Sequence, residues 1–282
     1  MQTQAILTQN PPYILGHAET ELDRLIHQAR YFGDLTQHVL NLAGLGPGMH
    51  VLDAGCGAGD VSFMAVRMVG AEGEVIGVDK SPEAVALASQ RAQAAMLTNV
   101  HFVTQDLAEL HLDEPVDALI GSRILMYFAD PAVALRRMAG FVKPGGLVVF
   151  QDFDMEAAKS EPACALFETT LRRVKQTFTR AGFDIQCGLR LSRIFQEAGL
   201  TAPQMILGAR VESGPDALVY DQLAQVTRSL LPVMERTGIA TAAEVGLETL
   251  ADRIRDEAVA NNATLVSPAL IGAWTRKNRG VN

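Results

Sequence analysis

The run Val51-Leu52-Asp53-Ala54-Gly55-Cys56-Gly57-Ala58-Gly59-Asp60 constrains this chain more than any other segment. A short apolar strand ends, three glycines alternate with small residues, and a helical pattern begins. Glycine lets a backbone turn tightly and approach a ligand closely. The helix that follows offers free N–H groups and the positive end of its dipole.

The same rhythm continues downstream. Strand-like runs at His50–Ala54, Glu74–Val78, Val100–Thr104, Val116–Gly121 and Leu147–Asp152 alternate with helical stretches at Gly59–Val69, Pro82–Met96 and Pro131–Val142. Such alternation implies right-handed crossovers and a mostly parallel sheet covered on both faces. Before it, Thr20–Leu45 has helical periodicity through Leu22, Leu25, Ile26, Ala29, Phe32 and Leu35. After Asp152 the rhythm changes. Helical stretches cover Ala163–Ala181, Arg190–Ala198, Asp216–Glu235 and Ala242–Ala260, with extended runs at Met205–Val211 and Leu265–Trp274.

A glycine turn after a strand also occurs in dinucleotide-binding dehydrogenases, whose fingerprint is GxGxxG. Here the spacing is GxGxG, and Asp60 stands where the last dehydrogenase glycine should be. A carboxylate there would repel a pyrophosphate, which argues against a dinucleotide.

Composition narrows the function classes. The 282 residues carry a formal net charge of -8, and no Lys/Arg run is visible. Nucleic-acid binding needs a basic surface, so none is expected. The three cysteines, Cys56, Cys164 and Cys187, include no CxxC pair, and the six histidines form no HExxH or HxxxH pattern. Neither a disulfide framework nor a metal site is read. No signal-peptide pattern and no apolar run near the ~18 residues needed to span a bilayer is present. A cytoplasmic protein with no membrane association is expected.

On these motifs the chain resembles the class I S-adenosylmethionine-dependent methyltransferases, within them the ubiquinone/menaquinone-biosynthesis group. The resemblance covers Gly46–Asp152. It implies a Rossmann-like, doubly wound α/β fold, with a mostly parallel seven-stranded sheet whose last strand is antiparallel. S-adenosylmethionine is the implied cofactor. Asp53, Gly55, Gly57 and Gly59 would form the loop under its amino-acid part. Asp79 would take the ribose hydroxyls, as an acceptor-only carboxylate can. Lys80 and Ser81 would lie beside the adenine, Asp106 would accept from its amino group, and Leu107 would pack nearby. Ser122 and Arg123 would face the reacting end. Lys143-Pro144-Gly145-Gly146 matches the family's turn before the fifth strand.

By that topology, residues 1–45 form an N-terminal helical cap. Residues 46–214 form the core with a helical insert after strand five. Residues 215–262 form a helical lid, and 263–282 the last core strand. All the additions fall on the face where strand carboxyl ends meet ligands. An enclosed pocket for a small, largely apolar metabolite is expected, walled by Ile124, Leu125, Met126, Tyr127 and Phe128, and by Leu230, Leu231, Val233 and Met234 of the lid. The small molecule is the expected partner, and the sequence allows a homodimer.

Asn10-Pro11-Pro12-Tyr13 spells the motif of methyltransferases that act on amino groups, but it precedes the first strand instead of following the fourth. It is read as accidental. Tyr13 remains a cofactor contact, its ring face suited to a sulfonium cation. An oxygen or carbon nucleophile would need a base. His17, His27 and Asp152 are the candidates, with a structural ion pair to Arg123 the stronger reading of Asp152. Cys56 is read as packed rather than nucleophilic. An RNA or protein methyltransferase, and a cofactor-binding homologue that transfers no methyl group, remain the alternatives.

Overall fold

The computed structural model describes residues 19–279, with side chains from Arg24. Helix α1 (Glu19–Ala43) precedes strand β1 (His50–Ala54). Then follow α2 (Asp60–Val69), β2 (Glu74–Asp79), α3 (Pro82–Ala94), β3 (Val100–Thr104), β4 (Val116–Ser122), α4 (Pro131–Ala139) and β5 (Val142–Asp154). The sheet order is β3-β2-β1-β4-β5-β10-β7, with β7 at Gln204–Gly208 and β10 at Ala269–Arg276. Strands β1 to β5 are mutually parallel where they pair, and β10 runs antiparallel to both β5 and β7.

Period-two alternation sorts the sheet residues to two faces. Val51, Val75, Ala118, Ile120, Leu147 and Val149 pack with α1 and α2. Leu52, Val78, Leu119, Val148 and Phe150 pack on the other side, with α4 and with α6 (Cys187–Glu197). Helix starts follow local chemistry. Ser81 caps α3 by accepting from Ala84 N, and Asp130 caps α4 by accepting from Val133 N, each just before a proline.

Several boundaries differ from the sequence expectation. The Lys143–Gly146 turn lies inside β5, as an irregularity: Val116 pairs with Val142, yet Ala118 pairs with Leu147. Strand β5 also runs on past Asp152 to Asp154. The Met205–Val211 run divides into β7 and β8 (Val211–Ser213), and Leu265–Trp274 divides at Ser267-Pro268 into β9 (Thr264–Val266) and β10. Helix α6 begins three residues before Arg190.

The larger addition lies at the borders of the lid, whose residues 215–262 contain helices only. Strands β8, β9 and β6 (Lys159–Glu161) form a separate antiparallel sheet in the order β6-β9-β8. It ties the insert after β5 to both ends of the lid. The lid helices are α7 (Val219–Arg236), α8 (Ala242–Val245) and α9 (Leu250–Ala260), and α5 (Ala165–Arg180) belongs to the insert. The cap residue of α5, Cys164, offers no side-chain bond, and Glu257 of α9 replaces it by accepting from Ala165 N and Leu166 N. A carboxylate at a helix N-terminus satisfies orphan N–H groups and complements the dipole. Tyr31 of α1 donates to Glu212 of β8 at 2.6 Å, fastening the N-terminal helix to the same unit.

Candidate functional site

A cavity of about 240 Å³ opens beyond the carboxyl ends of β1, β2 and β4. Its floor is the glycine turn. Gly55, Gly57 and Gly59 adopt φ of 71°, 52° and 87°. A Cβ on Gly59 would lie 2.9 Å from the Phe102 ring, and one on Gly55 would lie 2.7 Å from Ile124. Only glycine meets both the left-handed backbone and these close approaches. The turn is held by Gly55 N and Cys56 N, which donate to Val78 O, and by Gly57 N, which donates to Asp79 Oδ2 at 2.9 Å.

Asp79 closes β2 and lines the cavity. Its Oδ1 accepts from Ser81 N at 2.9 Å. Each carboxylate oxygen therefore holds one backbone bond and retains a lone pair. Lys80, Asp106 and Leu107 also line this end. Ser81 lines it too, but its hydroxyl is engaged as the α3 cap and donates to Glu83 at 2.8 Å. Asp60 shares the floor, where Arg91 of α3 grips its carboxylate at 2.6 and 3.0 Å and also reaches Ala58 O. Sequence reading missed Arg91, which is 31 residues from the aspartate it holds.

Asp53 and Gly59 do not line the cavity; Gly59 closes the turn at the start of α2, and Asp53 lies under it. Asp53 is 1% exposed and accepts from Ser62 Oγ at 2.6 Å. Its other oxygen is buried without a hydrogen-bond partner. Burial pushes its pKa up to about 7, the Ser62 hydrogen bond opposes this, and the nearby Asp79 charge adds to it. A buried carboxylate left half-satisfied attracts a cationic group. Cys56 lines the floor, and burial raises its thiol well above the usual range, which fits a packed residue and not a thiolate.

β4 ends in Ser122 and Arg123, both at the cavity. Ser122 Oγ accepts from Gln151 Nε2 at 2.9 Å. Arg123 has φ 55°, in a region that costs a non-glycine residue about 1–2 kcal/mol. That turn brings Ile124 over Gly55. Arg123 Nη1 is buried with no hydrogen-bond partner, and its guanidinium lies 6.0 Å over Phe153. Burial, then the charge of Arg24, lower its pKa. Arg24 of α1 lines the same end.

Asp152, the remaining described catalytic candidate besides His27, is not in the cavity lining. It is 1% exposed, and its carboxylate accepts from Met126 N at 3.2 Å and from Phe153 N at 2.9 Å. Those bonds hold its oxygens, and the Arg123 charge also favours its ionised form, as a smaller influence than the backbone bonds. Burial raises its pKa to about 6. Since β5 continues beyond it, Asp152 is an interior strand position and not a terminus. His27 does not reach the cavity either, although Arg24, Leu25 and Gln28 of the same helix do. Tyr13 and His17 lie outside the described residues.

The far wall is apolar. Met126, Tyr127, Phe128 and Ile124 line it as expected from sequence, whereas Leu125 is packed in the core. The lid contributes Val219, Gln222, Leu223 and Val226, the first turns of α7. Leu230, Leu231, Val233 and Met234 do not line the cavity, and Leu230 and Met234 are fully buried core. Helix α5 supplies Phe167, Leu171, Val174 and Phe178, a stripe that sequence reading did not assign to the pocket. Among the described residues no group of three His, Cys, Asp or Glu side chains is placed to hold a metal ion, and no helix is long and apolar enough to cross a membrane.

The turn fits the cofactor that the sequence implied. It is a close-approach glycine cradle, with a half-satisfied carboxylate beneath it and an acceptor-only carboxylate at the end of β2. This combination suits a molecule with cationic groups and a ribose, not a pyrophosphate. Together with the sheet order it matches the class I S-adenosylmethionine-dependent methyltransferases, and S-adenosylmethionine is the cofactor of that class.

The chain belongs to the methyltransferase-domain family, whose model matches residues 45–199. Among curated relatives, the arsenite methyltransferase of Halobacterium salinarum is 29% identical over 152 residues, 50% of this chain and 39% of that protein. The ubiquinone/menaquinone biosynthesis C-methyltransferase of Idiomarina loihiensis is 32% identical over 119 residues, 42% of this chain and 47% of that protein. The chain thus spans about half the length, or less, of the curated relatives it matches. Among solved structures, the YcgJ protein of Bacillus subtilis superposes with a TM-score of 0.57 at 21% identity, covering 86% of this chain and 99% of that one. This last likeness supports the fold alone.

Proposed function

We propose that this protein transfers a methyl group from S-adenosylmethionine to a small, largely apolar molecule enclosed beside it. The observation that carries the reading is one cavity with two characters. Glycine backbone and carboxylates line one end, and α5 and α7 wall the other with apolar side chains. The bound cofactor supplies an activated methyl group on a sulfonium. The protein's own part is to align an acceptor with that methyl and exclude water.

Residues Asp79, Lys80, Asp106 and Leu107 hold the nucleoside end in this reading, and Gly55 and Gly57 the amino-acid end, with the buried Asp53 carboxylate beneath them contributing its charge. Ser122 and Arg123 stand where the two ends of the cavity meet. The acceptor is not the one named for the haloarchaeal relative. Trivalent arsenic is thiophilic, and soft metals and metalloids call for thiolate ligands. Of the three cysteines only Cys56 lines the cavity, and its thiol is held protonated. A reducing, cytoplasmic setting is part of the proposal, supported by three buried free thiols.

The test is incubation of the purified protein with methyl-labelled S-adenosylmethionine and a metabolite extract of its source, following label into low-mass and polymeric fractions separately. Label in a low-mass product is the expected result. Label confined to RNA or protein would overturn the enclosed-acceptor reading.

A further inference from the structure

The apolar end of the cavity contains one anomaly. Seven side chains of α5 and α7 that face it are aliphatic or phenylalanine, and the eighth is Gln222. Gln222 occupies the middle of the α7 stripe formed with Val219, Leu223 and Val226, at the i, i+3, i+4, i+7 spacing of one helix face. It is 7% exposed, and its Oε1 is buried with no hydrogen-bond partner. A buried amide oxygen without a partner is a standing cost to the fold. A leucine in its place would continue the stripe without that cost. No charged side chain stands on this wall, so a charged group brought here would lose its water without gaining a counter-ion.

We infer that Gln222 is the specificity-determining contact of this end of the cavity, holding an apolar molecule by the one neutral hydrogen-bonding group on the α5–α7 wall. The amide can present its carbonyl or, by rotation about its last side-chain bond, its NH₂, so a hydroxyl or an amine satisfies it equally. The other seven side chains of α5 and α7 select for apolar surface only, and cannot distinguish isosteres well. The inference rests on the methyltransferase reading only for the statement that the molecule held there is the methyl acceptor.

The experiment is calorimetric titration of the intact protein with 1-naphthol and with 1-methylnaphthalene, which differ by a hydroxyl against a methyl on the same ring. Titrations are made with and without S-adenosylhomocysteine, and repeated on Gln222→Met and Gln222→Leu. The protein as it stands is expected to prefer 1-naphthol by about 10-fold, the span of one net hydrogen bond. Both variants should lose or reverse that preference while melting at or above the original temperature, because a buried unpartnered oxygen has been removed. Unchanged preference in the variants, no preference in the original protein, or no binding of either probe would each overturn the assignment. Binding of S-adenosylhomocysteine is read in its own titration. Its absence would sink the cofactor reading and leave the Gln222 result to stand or fall alone.

Discussion

The two ends of the cavity are built by opposite means. The cofactor end is made largely of backbone: the turn from Gly55 to Gly59 with its three left-handed glycines, and carboxylates placed at strand ends by the sheet itself. The acceptor end is made of side chains on two helices, α5 and α7, whose facing stripes are some fifty residues apart in sequence. Those helices are positioned by a small separate sheet and by Glu257 capping across the gap. The lesson is one of tolerance. The first end fails when backbone geometry changes, and the second when volume changes.

The sharpest way to break this contrast is Asp79→Ala. It removes an acceptor from Gly57 N and Ser81 N and from the ribose. Charge-assisted hydrogen bonds contribute about 1.5–3 kcal/mol each, so S-adenosylhomocysteine affinity should fall about 100-fold or more by calorimetry. An affinity within 3-fold of the original would mean that the nucleoside end has been placed wrongly. The reciprocal change, Leu171→Ala on α5, should cost about 2–3 kcal/mol in urea unfolding, at the low end for a buried leucine because the cavity is already open on one side. Its S-adenosylhomocysteine affinity should remain within about 2-fold; a larger loss would show that the two ends are not separable.

Asp53 sharpens the comparison through pH. Its folded pKa of about 7 lies above the ordinary value of 3.8, so folding takes up a proton between these limits. The associated stability is complete below about pH 4 and is lost as pH rises to about 7. Asp53→Asn should therefore flatten the fall in melting temperature between pH 5 and 7.5 and raise the melting temperature at pH 8, while weakening the cofactor. An unaltered pH slope would assign the dependence elsewhere, with Asp152 the next candidate. The smallest effect is expected from Arg91→Ala, which frees Asp60 and Ala58 O at a half-buried ion pair. A loss of about 3- to 10-fold in S-adenosylhomocysteine affinity should follow, and it should shrink in high salt only weakly.

Legibility in the sequence follows the same division. The glycine turn, Asp79 and the strand–helix alternation are local signals, and each could be read within a dozen residues. The acceptor wall could not. The most apolar part of α7, Leu230 to Met234, is the natural choice for the pocket from sequence, yet Leu230 and Met234 lie in the core, because what α7 shows the cavity depends on where α5, α9 and α1 place it. The sequence marks a strand terminus at Asp152, but pairing with Leu270 and Ala269 carries β5 two residues further, to Asp154. The small sheet escaped notice because three-residue strands are too short for period-two alternation to register. Arg91 escaped because an ion pair across 31 residues leaves no mark in either segment.

The three-stranded sheet also bears on descent. It fixes α5 and α7 as a unit by backbone bonds that no side chain specifies, and it makes no claim on the glycine turn. Substitutions along the two stripes can therefore change the shape and polarity of the chamber while leaving the donor half intact. An enzyme so divided can acquire a new acceptor by a handful of single-residue steps, each of them keeping the methyl donor in place.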